Sequence, residues 1–217
     1  MTNNWNINKL QYILGTNIHE ALSSAAKILQ NVNDVGVDAP IMVFLTDGEP
    51  TIGVTQPLKI LNSIDIANRE KIQIFSLAFG EDANYNFMKK LSARNNGFAR
   101  KIYVNADASL QLTGFYREIS DVLLSKLSFT YLDDVVNLTS VTQTQFPSFF
   151  DGSELVIAGQ LNENDDDFNT ITTRVVGSGN DGILEISATA DVIESSKMSR
   201  EIVFRCFFLV IILNEKD

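Results

Sequence analysis

Two residues of this chain combine a side chain and a setting that could do chemistry: Asp47 and Thr16. Asp47 closes the apolar run Ile41-Met42-Val43-Phe44-Leu45, and Thr46-Asp47-Gly48-Glu49-Pro50 breaks that run. A carboxylate at the carboxyl end of a buried parallel strand stands where open α/β sheets bind their ligands. Thr16, in Gly15-Thr16-Asn17, precedes a helix that leads into the same strand, so both residues are expected to face one crevice. Carboxylate and hydroxyl are hard oxygen donors, suited to Mg²⁺, Mn²⁺ or Ca²⁺. A plainer reading has Thr16 as a helix cap and Asp47 as a turn residue. The residues alone leave both open.

The case for an enzyme is thin. The chain has one histidine, His19, in the first turn of an expected helix, and one cysteine, Cys206, in an apolar run beside Arg205. Nothing in the sequence has the form of a nucleophile elbow, a phosphate-binding loop or a zinc ligand pair. No enzymatic activity is expected, and therefore none that His19→Ala could remove.

The elements that must position Thr16 and Asp47 are legible from periodicity. Ile18, Leu22, Ala25, Leu29 and Val32 form the stripe of an amphipathic helix, with Asn17 and Glu20 spaced as a capping box. The run at 41–45 suits a strand buried on both faces. Pro57 fits a first helical turn, with Leu58, Leu61 and Ile64 as the buried face. A second buried strand covers 72–79. A helix carries Phe87, Met88 and Leu91, with Gly97 as its cap, and a short strand covers 101–104. The last helix of this part is expected to carry Phe115, Ile119, Val122 and Leu123. Strands alternating with helices of this length indicate parallel βαβ units.

From about Leu127 the period changes to two. Strands are expected at 127–131, 135–141, 154–161, 170–176 and 183–190, separated by Gly, Asn and Asp clusters, which reads as antiparallel sheet. The acid run at 163–167 is expected to be a solvated hairpin loop, since it lacks EF-hand spacing. The run from Val203 to Leu213 is too short to span a bilayer, which takes roughly 20 residues, and suits a buried strand.

Composition narrows the function classes. At 217 residues, with 45% hydrophobic, the chain is ordinary globular material. Its formal net charge of −10 and unclustered Lys and Arg argue against nucleic-acid and anionic-lipid surfaces, and against a direct polysaccharide groove. The N-terminal residues lack the basic and apolar regions of a signal peptide. Asn137-Leu138-Thr139 is an acceptable N-glycosylation sequon and fits secretion.

Gly15-Thr16-Asn17-Ile18 followed by Phe44-Leu45-Thr46-Asp47-Gly48-Glu49-Pro50-Thr51 resembles the later part of a von Willebrand factor type A domain, and more closely the inter-alpha-trypsin inhibitor heavy chains. Residues 74–80, 85–92, 115–120 and 149–159 continue the likeness, which runs in order from about residue 5 to about residue 160. It implies an α/β fold: a partial von Willebrand A-type (Rossmann-like) parallel sheet with flanking helices, followed by an antiparallel β region. Residues 1–126 would be the C-terminal part of the A-type domain, 127–194 a β-rich region, and 195–217 a divergent apolar tail.

The adhesion-type metal site of such domains combines an Asp-x-Ser-x-Ser loop, a Thr and an Asp. The last two map onto Thr16 and Asp47. The loop is absent: Asp107-Ala108-Ser109 and Asp151-Gly152-Ser153 lack the second serine and stand elsewhere. The resemblance thus implies Mg²⁺, Mn²⁺ or Ca²⁺ in a complete homologue and no bound ion here. It also implies a secreted extracellular module that meets a protein or matrix ligand presenting a carboxylate and is associated with hyaluronan through the whole protein. The alternative is an A-type interaction scaffold of another family, which could act inside the cell. In the family's sheet the strand bearing the missing loop lies beside Ile41–Leu45. Its loss would forfeit burial of order 10 kcal/mol or more, so the chain is expected to be a poorly stable fragment or incomplete gene product, with 41–45 as an exposed apolar edge.

Overall fold

Asn17 starts the first helix by turning its side chain back onto it: its Oδ1 accepts the backbone N–H of Glu20 at 3.1 Å. The helix cap is therefore Asn17, and not Thr16. This computed structural model describes residues 15–33, 40–69, 72–132, 135–162, 170–179, 181–191 and 206–211. Contacts within the chain gather into two compact units, residues 1–108 and 109–217.

The first unit runs α1 (Ile18–Asn33), β1 (Ile41–Thr46), α2 (Pro57–Ala67), β2 (Gln73–Phe79), α3 (Tyr85–Arg94) and β3 (Ala99–Ile102). The strands form a parallel sheet in the order β1-β2-β3. Its core joins Ile18, Leu22 and Ala26 of α1 to Ile60, Leu61 and Ile64 of α2, Ile74 and Ala78 of β2, and Phe87, Met88 and Leu91 of α3. The central strand β2 is buried from Gln73 to Ala78, including its two polar positions, where Gln73 Nε2 donates to the Asn96 carbonyl at 2.9 Å and the Ser76 and Ser92 hydroxyls hydrogen-bond at 2.8 Å.

Three expectations need correction here. β1 is not buried on both faces: Met42 is buried, but Val43 and Leu45 are 40% and 52% exposed. Val43 and Leu45 share one face by alternation, opposite the buried Met42 and Thr46, and among the described residues β1 pairs with β2 alone, which leaves its other edge unpaired. On α2, Leu58 is exposed and Ile60 takes the buried place beside Leu61 and Ile64. At the end of α3 the left-handed residue is Asn96, with φ 54°. Gly97 lies one position further on and donates its N–H to Ser92 at 2.9 Å, the six-to-one bond of a Schellman ending.

In the second unit α4 (Ala108–Ser120) is followed by β4 (Val122–Tyr131), β5 (Val136–Asn137), β6 (Gln145–Phe150), β7 (Leu155–Leu161), β8 (Thr170–Gly179), β9 (Gly182–Asp191) and β10 (Cys206–Ile211). They build two antiparallel sheets, β6-β4-β8-β9 and β10-β7-β5. Ile157 of β7 shares one core with Leu127, Phe129, Phe149 and Val175 of the other sheet.

Val122 and Leu123 belong to β4 rather than to the preceding helix. Spacing fits them to either element, and the cross-strand partner Phe150, opposite Val122, decides for the strand. β6 escapes a reading by alternation because Pro147 interrupts it. It lies at the edge of its sheet, where a missing N–H breaks no ladder. The strand expected at 135–141 is two residues long, because the chain turns at Leu138. The acid run at 163–167 and the ends of the stretch from Val203 to Leu213 lie outside the described residues, while its middle, Cys206–Ile211, pairs with β7.

Candidate binding crevice

The loop that follows β1 is fastened to the segment ahead of α1. The backbone N–H of Thr16 donates to Thr51 Oγ1 at 2.7 Å. In return the Thr16 carbonyl accepts the N–H groups of Thr51 at 2.9 Å and Ile52 at 3.2 Å. Glycine is required on both sides of this clasp. A Cβ on Gly15 would lie 2.1 Å from the end of the Ile52 side chain, and one on Gly53, at φ +72°, would lie 2.8 Å from Asn17 Oδ1. A third segment joins from the end of β2. Asn84 caps α3 through its Oδ1 and donates from Nδ2 to Glu49 Oε1 at 3.2 Å.

These contacts bring Thr16 and Asp47 onto adjoining loops at the carboxyl end of the parallel sheet. Thr46 is buried and its hydroxyl folds over the turn, donating to the Gly48 carbonyl at 3.1 Å. Asp47 is left exposed and Thr16 half-buried. Among the described residues neither the Asp47 carboxylate nor the Thr16 hydroxyl has a hydrogen-bond partner, so neither oxygen is committed to a cap or a turn. That distinguishes them from Glu49, held by Asn84, and from Glu81, held by Lys101 at 2.5 Å.

Thr16 and Asp47 have the right chemistry for a hard cation but supply too few oxygens for one. Mg²⁺ demands near-octahedral oxygen coordination. Among the described residues no group of three or more His, Cys, Asp or Glu could hold a metal. The two donors therefore do not fit the ion by themselves. The Asp-x-Ser near-matches have other work. Asp107 and Ser109 flank the start of α4, and Asp151-Gly152-Ser153 is the turn between β6 and β7, with Gly152 at φ +69°.

Asn84, Glu49 and Thr51 are the residues that sequence reasoning left out of the site. They act through loop-to-loop bonds, and no spacing in the sequence marks such partners. His19 Nε2 lies 2.8 Å from Ser63 Oγ, a bond joining α1 to α2. Cys206 opens β10 in the other unit. Asn137 ends β5 in unit 2.

Comparison with known proteins agrees with this architecture. The family model for the von Willebrand factor type A domain matches residues 3–118. The chain is similar to inter-alpha-trypsin inhibitor heavy chain H6 of Homo sapiens, 44% identical over 153 residues, covering 67% of this chain and 11% of that protein. It is also similar to heavy chain H3 of Homo sapiens, 34% identical over 190 residues, covering 86% of this chain and 21% of that one. The chain thus spans only about a tenth to a fifth of the length of these relatives. A solved von Willebrand factor type A structure from Catenulispora acidiphila superposes with a TM-score of 0.54 at 14% identity, covering 91% of this chain and 52% of that one. This likeness is one of fold.

Proposed function

The chain belongs to the von Willebrand factor type A domain family, and from that premise we propose that it is a binding module of an extracellular, heavy-chain-like matrix protein and not an enzyme. Its work is to contribute Thr16 and Asp47 to a divalent-cation crevice that captures a carboxylate on a protein or matrix partner. The association with hyaluronan belongs, on this reading, to the whole protein. The observation that supports the reading is the clasp between residues 15–17 and 46–53. It supports the reading because it holds Thr16 against the loop that carries Asp47, beyond the carboxyl end of β1, the end at which open α/β sheets take their ligands.

The remaining ligands must come from oxygens other than these two, since the sequence contains no Asp-x-Ser-x-Ser. The crevice is therefore tested in two settings. Residues 1–217 titrated with Mg²⁺ in a calorimeter are expected to show no measurable affinity, and micromolar binding would refute the two-ligand account. In a full-length heavy chain that combines this segment with an Asp-x-Ser-x-Ser loop, Thr16→Ala and Asp47→Asn should each abolish Mg²⁺-dependent capture by an immobilised carboxylate-bearing partner. Capture that survives both substitutions overturns the proposed function.

A further inference from the structure

We propose that Asn137 is an N-glycosylation site, whose amide nitrogen is presented to a lipid-pyrophosphate-linked oligosaccharide by the turn from Asn137 to Ser140. The proposal presumes the extracellular reading above and adds a covalent modification to it. Asn137-Leu138-Thr139 is the sole Asn-x-Ser/Thr sequence in the chain. The turn is closed by the Ser140 N–H on the Asn137 carbonyl at 2.9 Å. Within it, the Asn137 side-chain oxygen accepts two hydrogen bonds from the sequon's own threonine. One comes from the Thr139 N–H at 3.1 Å, the other from its hydroxyl at 2.6 Å.

That arrangement assigns different work to the two ends of the amide. Oδ1 is saturated by Thr139, while Nδ2 donates to nothing among the described residues. Hydrogen bonds to the carbonyl oxygen draw electron density from the amide and acidify the Nδ2 hydrogens, which assists proton loss as nitrogen attacks. In the transfer, a bond forms between Nδ2 and the anomeric carbon of the first sugar. The bond from that carbon to the pyrophosphate oxygen breaks, the lipid pyrophosphate leaves, and one amide proton passes to solvent. No oxidation or reduction is involved.

Asn137 is half-buried, and the turn that follows it is open to solvent. Leu138 is 65% exposed and Thr139 is exposed. β5 is a two-residue strand at the edge of the β10-β7-β5 sheet, so a glycan there would break no ladder pairing.

The test is translation of the 217-residue chain, given an added secretory leader, in the presence of endoplasmic-reticulum microsomes, with protease protection reporting import. The protected chain should migrate one glycan heavier and return to its unmodified size on endoglycosidase treatment. Asn137→Gln and Thr139→Ala should abolish the shift, and Thr139→Ser should keep it. A protected wild-type chain without the shift overturns the proposal, as does a shift that persists in Asn137→Gln. Because the leader imposes import, failure here leaves the extracellular reading standing. That reading fails separately if cells making the native protein never export it.

Discussion

At Gly97 an added Cβ would lie 2.1 Å from the carbonyl oxygen of Ile74, and its next neighbour would be the Ile74 carbonyl carbon at 2.7 Å. Both are backbone atoms of the central strand, so nothing flexible can move aside. Gly97→Ala is expected to lower the unfolding free energy by about 3 kcal/mol, the upper end of ordinary overpacking, as read by urea denaturation. A loss below about 0.5 kcal/mol, the scale of a neutral surface change, would show that β2 yields there. The sequence marks Gly97 as important, but for the wrong reason. A glycine after a helix suggests a left-handed cap, and here Asn96 takes that conformation. Close approach between a loop and a strand distant in sequence has no local signature. The same holds for Asp47, whose carboxylate has no hydrogen-bond partner among the described residues, while Thr46 binds Gly48 and Asn84 binds Glu49.

Among the elements, the β8–β9 hairpin is the most exposed to solution conditions. Every described residue of β9 from Gly182 to Ala190 is exposed, and among the described residues the strand pairs with β8 alone. Arg174 Nε donates to Glu185 Oε1 at 2.7 Å across the pair. That hydrogen bond holds the Glu185 carboxyl below its ordinary value and raises Arg174 above its own. A depressed carboxyl favours the folded hairpin above the unfolded pKa, and the benefit is lost as pH falls through the folded one. Amide protection factors in β9 should therefore be higher near neutral pH than in acid, and Arg174→Gln should shrink the difference. Equal pH dependence in the variant and the parent would assign the effect elsewhere. Alternation made this hairpin readable in advance. β6 was missed because Pro147 breaks the pattern and only a place at the sheet edge excuses it.

For the whole molecule, the division into two compact units has a thermodynamic consequence. Each unit has its own core, one built on Ile18, Ile64, Ile74 and Leu91, the other on Leu127, Phe129, Phe149 and Val175. Separate cores lose their packing separately, so all-or-none unfolding is not required of the chain. Urea unfolding should show two transitions. The first is assigned to residues 1–108, where Val43 and Leu45 of β1 present apolar surface to water. A single transition with coincident fluorescence and circular dichroism would mean that the units stabilise one another.

The sequence by itself determined the alternation of helices with apolar strands and the change to antiparallel sheet in the second half of the chain, and it offered Thr16 and Asp47 as candidate ligands. These follow from side-chain period and from motif order, which are properties of neighbouring residues. It also carried the resemblance to A-type domains and inter-alpha-trypsin inhibitor heavy chains that the comparisons bear out. Tertiary structure alone decided that Thr51 clasps Thr16, that Asn96 rather than Gly97 turns left-handed, and that Val122 joins β4. Each depends on which distant atom comes within reach: Thr51 for Thr16, Ile74 for Gly97, Phe150 for Val122. Contacts of that kind are fixed by packing across tens of residues, and no local pattern encodes them.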